Sequence, residues 1–349
     1  MANENTNIIG SGLQGLGNIG NTCGVNTLVQ CIGHMNVLRK LLLADNIKCH
    51  PNRQGICLTL ELQEILKHLW INDKSVIPHK FIKSLHGTLG SDLFPRGEQL
   101  DMGELWIYIL SIIEEELGEE NVAWAEEHPK KVLGMLSPQS DREYLELVKN
   151  SETYWAKSIH KCVSSWALQS QGLIHHQITC SSCKFKSDSY ENFTCLSVPI
   201  PEYAETMEQC LHAYFSDELL PEWKCEKCNH VGGQKSCRLW RTPMMLSITL
   251  KRFAYSDRLA KISRSISIPQ YVRLNQFCIG PYKLPKYALK GVGTHQGGYH
   301  GGHYVATCKC PNDQTWWRHD DLTVSKIDEK HLRTELSNAY MCFYEPDNM

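Results

Sequence analysis

Cys23 stands where a helix begins. The run Gly15-Leu16-Gly17-Asn18-Ile19-Gly20-Asn21-Thr22-Cys23 leads into Val25, Leu28, Val29 and Ile32, apolar residues at helical spacing. Asn21 and Thr22 are of types that accept hydrogen bonds from the free N–H groups of a first helical turn, so a capped helix start is predicted there. A free thiol, with a pKa near ~8.5, is a weak nucleophile at neutral pH, and the positive end of a helix or a nearby imidazolium favours the thiolate. The preceding glycines let backbone N–H groups approach a substrate carbonyl. Most free cysteines are small buried apolar residues, and this chain has 16 of them, so Cys23 needs a base before it counts as a nucleophile.

His303 offers that base. It lies in Gly301-Gly302-His303-Tyr304-Val305-Ala306, a glycine cluster running into a β-prone segment. Pro311-Asn312-Asp313-Gln314 has the composition of a turn, and Trp316-Trp317-Arg318-His319-Asp320-Asp321 is β-prone again. A hairpin centred between Asn312 and Asp313 puts His303 opposite position 322, with Asp320 a close diagonal neighbour. A carboxylate there holds the imidazole in one tautomer while its other nitrogen faces the thiol.

These segments resemble the catalytic domain of the ubiquitin-specific protease family, papain-like cysteine peptidases. The cysteine box from Gly15 to Cys23 with Asn26 and Gln30 is similar to that family's. So are Gln99-Leu100-Asp101-Met102-Gly103-Glu104-Leu105, the strand Leu246 to Phe253, the histidine box with Trp316 to Asp321, and the closing strand Ala339 to Tyr344. The boxes keep the family's order from about Leu13 to Tyr344. The resemblance implies an α+β papain-like fold in a single domain over 13–345. Residues 13–172 would form a mainly helical thumb, 173–245 zinc-bearing β fingers, and 246–345 a β-sheet palm. It implies Cys23 as nucleophile, His303 as general base and then acid, and Asp320 as orienter. Asn18 would donate its amide to the oxyanion, a contribution of roughly 3 kcal/mol to the transition state. Gln99 and Asp101 would contact the extended tail of ubiquitin, and Tyr304 with Gly302 would line the slot for its terminal Gly-Gly. The chain departs from the family at Gly24 and His319, where aromatics are usual, and at Leu100, where glutamine is usual. The first and last of these are expected to loosen the tail site, and His319 leaves Asp320 and Asp321 both open as the working carboxylate.

A second constellation stands on its own spacing. Cys180-Ser181-Ser182-Cys183 and Cys225-Glu226-Lys227-Cys228 are two C-x-x-C knuckles separated by a β-rich stretch, Phe193 to Pro201, and a helical one, Met207 to Phe215. Two knuckles supply four thiolates to one tetrahedral Zn2+ and leave no open position, the mark of a structural site. Cys195, Cys237 and His230 read as spectators.

The remaining elements must position these groups. Helical patterns come first, including Leu58 to Trp70, Leu105 to Leu117 and a charged, aromatic stretch from Glu143 to Trp166 to which no role is assigned. The acidic run Glu114-Glu115-Glu116 reads as a solvated helix end. From about Leu173 strands and hairpins take over, and helices followed by strands argue for an α+β class. A net charge of −2 in 349 residues opposes general nucleic-acid binding, and no apolar run approaches the ~20 residues of a membrane span. Cysteines in this number suit a reducing compartment, where thiols serve zinc and catalysis rather than disulfides. The chain therefore reads as an intracellular deubiquitinase, cytoplasmic and/or nuclear and monomeric, acting on ubiquitin and ubiquitinated proteins. The competing readings are a catalytically silent ubiquitin-binding module and a cysteine protease for another ubiquitin-like modifier.

Overall fold

The computed structural model describes residues 10–347 apart from 53, 96, 138, 255–259 and 299–300, so Tyr299 and His300 of the histidine box lie outside the described residues. Helices fill the first half: α1 (Cys23–His34), α2 (Asn36–Leu42), α3 (Leu58–Trp70), α4 (His79–Leu93), α5 (Met102–Leu117), α6 (Val122–Gly134), α7 (Arg142–Ile159) and α8 (Ser165–Ser170). Strands then dominate. They begin with β1 (Gly172–Cys180), β2 (Lys186–Phe193) and β3 (Leu196–Val198), followed by α9 (Met207–Tyr214), β4 (Glu218–Lys224) and β5 (Val231–Arg241). The chain continues through β6 (Leu246–Leu250), β7 (Phe253–Ala254), β8 (Ala260–Lys261), β9 (Tyr271–Val272), β10 (Tyr287–Gly298) and β11 (Gly301–Lys309). It ends with β12 (Trp316–Asp320), β13 (Thr323–Lys326), α10 (Glu329–Ser337) and β14 (Ala339–Pro346).

Two sheets carry the strand half. A four-stranded sheet has the order β2-β1-β5-β4, and an eight-stranded one runs β13-β12-β11-β10-β14-β6-β3 with β9 paired to β10. The larger sheet thus reaches back for β3, which pairs in parallel with β6 although it falls inside the 173–245 span. Helix α1 lies against β10 and β11 with all twelve of its residues buried. Leu28 and Ile32 are completely enclosed, each worth about 1.5–3 kcal/mol of apolar burial. The polar side chains of α1 are used rather than wasted. Gln30 Nε2 donates to the Gln14 carbonyl at 2.8 Å and Asn26 Nδ2 to the Leu16 carbonyl at 3.2 Å, tying the glycine-rich approach to the helix it precedes.

The helix predicted over Leu58 to Trp70 forms with those bounds, because Leu58, Leu62, Ile65, Leu66 and Leu69 make one apolar stripe. Its free N-terminal amides are met from another helix: the Glu116 carboxylate accepts from Leu58 N and Thr59 N, both at 2.7 Å, and from Thr59 Oγ1 at 2.6 Å. Glu116 is 2 % exposed, so the acidic run is not simply a solvated end. The stretch from Glu143 to Trp166 is two helices rather than one, since Ser164 caps a new start at α8 and Glu119 and Val163 form an isolated antiparallel bridge at the break. Fourteen cysteines are free, while Cys49 and Cys57 form a disulfide that the expectation of thiols only did not foresee.

Candidate active site and cysteine cluster

Strand β11 and its partner β12 pair with Ala306 opposite His319 and Lys309 opposite Trp316, the register expected from a turn centred between Asn312 and Asp313. His303 consequently reaches the end of β12, where its Nε2 lies 2.7 Å from Asp320 Oδ1. The other Asp320 oxygen accepts from Arg318 Nη1 at 2.7 Å. Partial burial pushes the Asp320 carboxyl up, but the hydrogen bonds from His303 and Arg318 and the positive charge of Arg318 outweigh it, leaving the pKa below the ordinary aspartate value. With Nε2–H donated to a carboxylate, the imidazole presents Nδ1 as its lone-pair nitrogen.

Asp321 does something different. It sits at a turn with φ 50°, and its side chain leaves β12 toward the cysteine loop. Asn18 Nδ2 donates to its Oδ2 at 2.9 Å and Asn26 Nδ2 to its Oδ1 at 2.7 Å. The backbone joins in, with Leu16 N donating to the Asp321 carbonyl at 2.9 Å. Gly15 is required by this approach, because a Cβ there would lie 2.5 Å from Leu322 backbone atoms. The glycine thus serves contact between two loops rather than access for a substrate carbonyl.

Thr22 occupies the N-cap position of α1 but makes no side-chain cap. Its hydroxyl is already engaged, accepting from Ile19 N at 2.9 Å and pairing with Asn18 Oδ1 at 3.2 Å, while its own N–H donates to Asn18 Oδ1 at 3.1 Å. Asn21, in the left-handed region with φ 59°, donates to the Gly97 carbonyl instead. The predicted caps are therefore absent, and the first amides of α1 keep their donors beside Cys23.

Cys23 is 2 % exposed. Among the described residues no hydrogen bond joins its sulfur to His303; Gln99 Nε2 lies 3.0 Å from the sulfur and donates to the Gly302 carbonyl at 2.9 Å. Gln99 thus bridges the helical half, which bears the thiol, and the sheet half, which bears the imidazole. A cleft of about 890 Å³ leads up to this bridge, lined by Gln99, Asp101, His295, Gly302, Tyr304 and Tyr340 among others. Asp101 caps α5, its Oδ1 accepting from Gly103 N at 2.8 Å and Glu104 N at 3.1 Å. Its Oδ2 accepts from Tyr340 Oη at 2.5 Å and Tyr304 Oη at 3.4 Å. Burial, reinforced by this carboxylate, pushes both phenols well above the usual tyrosine value, so they remain donors. Gly302 has no alternative: a Cβ would come within 2.3 Å of the Gln296 carbonyl and 2.4 Å of His295 Nε2. Gly24 is less constrained, since a Cβ there would meet Tyr304 at 3.4 Å, ordinary contact.

The two knuckles converge at the turns of the four-stranded sheet, one between β1 and β2 and one between β4 and β5. The four sulfurs of Cys180, Cys183, Cys225 and Cys228 lie within 4.8 Å of one another, with 3.7 Å between Cys180 and Cys228 and 3.7 Å between Cys183 and Cys225. A tetrahedron with metal–sulfur bonds of ~2.3 Å has edges of about 3.8 Å, so the donor set fits a tetrahedral zinc. Each knuckle closes with a left-handed residue after its second cysteine, Lys184 at φ 59° and Asn229 at φ 57°, and these turns aim both sulfurs inward.

Sequence reasoning did not single out Tyr340, Arg318 or His295 for the site. Tyr340 lies within the closing strand already quoted and Arg318 between Trp317 and His319, but only tertiary pairing gives either a task. His295 is cross-strand to Tyr304 with ring centroids 4.6 Å apart. Burial and the charge of Lys261 bring its pKa down to about 4.

A thiol at a helix start and a histidine–aspartate pair on a sheet are the groups a papain-like thiol hydrolase uses. The family model described as ubiquitin carboxyl-terminal hydrolase matches residues 14–344, and the chain belongs to that family, whose members are cysteine-type deubiquitinases. It is 26 % identical to a probable ubiquitin carboxyl-terminal hydrolase of Acanthamoeba polyphaga mimivirus, covering 95 % of this chain and 90 % of that protein. It is also 26 % identical to human ubiquitin carboxyl-terminal hydrolase 2, covering 96 % of this chain and 55 % of the relative, so it spans about half the length of that protein. Among solved structures, the SAGA DUB module Ubp8/Sgf11/Sus1/Sgf73 bound to monoubiquitin has the same fold, with a TM-score of 0.72 and 22 % identity over 97 % of this chain and 70 % of that one.

Proposed function

We propose that the protein is a thiol-dependent deubiquitinase that hydrolyses the isopeptide or peptide bond after the C-terminal glycine of ubiquitin, with Cys23 as nucleophile and His303 and Asp320 as its base and orienter. The observation that carries these assignments is the 2.7 Å contact between His303 Nε2 and Asp320 Oδ1, next to Gly302, whose carbonyl shares the Gln99 amide with the Cys23 sulfur. The thiolate attacks the glycine carbonyl carbon as Cys23 gives its proton to His303 Nδ1. Collapse of the tetrahedral intermediate passes that proton to the departing lysine amine and leaves a thioester. Water then attacks the thioester, His303 takes its proton, and the thiol is regenerated as the ubiquitin carboxylate leaves.

Asn18 is the oxyanion donor in this reading, already oriented by Asp321, with the uncapped first amides of α1 alongside it. The ubiquitin tail enters past Asp101, Tyr304 and Gly302, and Gln99 gives way from the sulfur as it arrives. Cys180, Cys183, Cys225 and Cys228 would hold a structural zinc that cross-links the two hairpin turns of the fingers, which cradle the body of ubiquitin. Fourteen free cysteines against the one Cys49–Cys57 disulfide favour a reducing, intracellular setting.

The test is labelling with ubiquitin bearing a C-terminal electrophile. One adduct per chain, mapped to Cys23 and lost in Cys23→Ser, is expected. Folded protein that forms no adduct overturns the proposal.

A further inference from the structure

The fingers are not the only place where metal-ligating side chains converge. His34 at the end of α1, Cys308 on β11 and His319 on β12 bring their ligand atoms within 4.8 Å of one another in the interior. The His34 and His319 rings meet edge to face with centroids 5.0 Å apart. Cys31, one helical turn before His34 on the same face of α1, places its sulfur 4.0 Å from that of Cys308 but lies outside the 4.8 Å group of the other three, so it would have to swing in to complete a tetrahedron. All four residues are 2 % exposed or less.

The polar atoms of this cluster are not all accounted for by the protein around them. Both ring nitrogens of His319 and the Nε2 of His34 are among the buried polar atoms without a geometric hydrogen-bond partner, and the Cys308 thiol interacts with His34. His34 Nδ1 is committed, lying 2.8 Å from the Gln30 carbonyl. That bond fixes the tautomer with a lone pair on Nε2, the orientation that metal-ligating histidines take from a backbone carbonyl. One unpaired nitrogen from each ring beside two sulfurs is a donor set that a cation of borderline softness takes.

We propose that Cys31, His34, Cys308 and His319 hold a second structural zinc, buried behind the candidate active site. Two cysteines and two histidines are a closed tetrahedral zinc set, and zinc with such ligands has edges of roughly 3.3–3.8 Å. Charge favours the assignment as well. Binding Zn2+ releases one proton from each thiol to water, and two thiolates then neutralise the dication, so no net charge is left in the core. The site also has a mechanical meaning. Its ligands come from α1, β11 and β12, the three elements that carry Cys23, His303 and Asp320, so the ion clamps together the supports of all three. His319 precedes Asp320 directly and Cys308 lies five residues beyond His303 on the same strand.

The test counts metal in the full chain, purified without chelators after growth with zinc. Two zinc ions per chain are expected by elemental analysis. A Cys183→Ser/Cys228→Ser double variant should keep one, and His319→Phe, whose ring fills a similar volume without a donor, should fall from two to one with unchanged circular dichroism. Cobalt loaded into the double variant should give tetrahedral d–d bands and a thiolate charge-transfer band that drops by about half on adding Cys31→Ser. A single zinc in the unmodified chain overturns the proposal. So does a second zinc whose stoichiometry is untouched by His319→Phe. Should either variant fail to fold, the count on the unmodified chain still decides.

Discussion

Replacing Asp320 with Asn separates two adjacent carboxylates that the sequence could not tell apart. The hydrogen bond from His303 Nε2 to Asp320 Oδ1 is 2.7 Å long and charge-assisted, and the two side chains are 36 % and 30 % exposed. A bond to a charged partner is worth about 1.5–3 kcal/mol, so losing its orientation alone slows turnover by roughly 10- to 150-fold. Asparagine does further harm when its NH2 faces the ring, because it then donates to Nε2 and moves the proton to Nδ1, the nitrogen that must accept from Cys23. In serine proteases the equivalent wrong tautomer costs about 10⁴ in kcat. Asp320→Asn should therefore lower kcat by about 10²- to 10⁴-fold on a fluorogenic ubiquitin substrate, with KM little changed. Asp321→Asn should behave otherwise. Its single amide oxygen can still accept from Asn18 or Asn26 but not from both, which costs about 1 kcal/mol and a rate loss of roughly fivefold. The reasoning is refuted if Asp320→Asn retains more than a tenth of the activity, or if Asp321→Asn falls as far as Asp320→Asn.

Asn18→Ala removes the proposed oxyanion donor and should cost about 10²- to 10³-fold in kcat with little effect on KM; because Asn18 also accepts from Thr22, the melting temperature must be measured beside the kinetics. Gly302→Ala should destabilise the fold by about 1–3 kcal/mol in urea titration and abolish measurable turnover, because its Cβ would press on backbone and on His295, whereas Gly24→Ala should do neither. His295 has its folded pKa depressed to about 4, so the neutral form is the one that folding favours. Its contribution is complete above the unfolded value of about 6.5 and is lost as pH falls from there toward about 4. Urea titrations of the unmodified chain and His295→Gln should converge across that interval by up to roughly 3 kcal/mol, and parallel curves would contradict the assignment.

Legibility in the sequence followed the range of the interaction. The α3 helix and the β11–β12 register were readable because one rests on an apolar stripe and the other on a four-residue turn, both local. The knuckles were readable because two cysteines per turn need only the turn. Roles that depend on which loop meets which were hidden. Asp320 and Asp321 are the same residue type, and only the positive φ of Asp321 at the end of β12 sends one side chain to the histidine and the other to the cysteine loop. Thr22 looked like a cap until Asn18 took its hydroxyl. Cys31, His34, Cys308 and His319 come from segments separated by almost the whole chain. The Cys31-x-x-His34 spacing was a signal, but a pair on one helix face says nothing about what lies opposite.

The contacts around Asp321 bear on how the two halves of the site stay in register. Cys23 belongs to a helix that packs among α3 and α5 on one face and against β10 and β11 on the other, so the support of the thiol and the sheet that carries His303 share one core. Between them run the Leu16–Asp321 backbone bond, the two asparagine bonds to the Asp321 carboxylate and the close approach of Gly15 to Leu322. All of these act on one side of the cleft, next to the pair formed by Asp320. On the other side the links are the Gln99 amide, which reaches both the Cys23 sulfur and the Gly302 carbonyl, and the Asp101 carboxylate at the start of α5, which accepts from Tyr304 and Tyr340 of the sheet. In the proposed reaction the Gln99 contacts are the ones exchanged for substrate, and the carboxylate that orients His303 is not among them. Substrate entry and catalytic alignment then fall to different residues, so in the proposed reaction Gln99 would release the thiol while the His303–Asp320 geometry is retained.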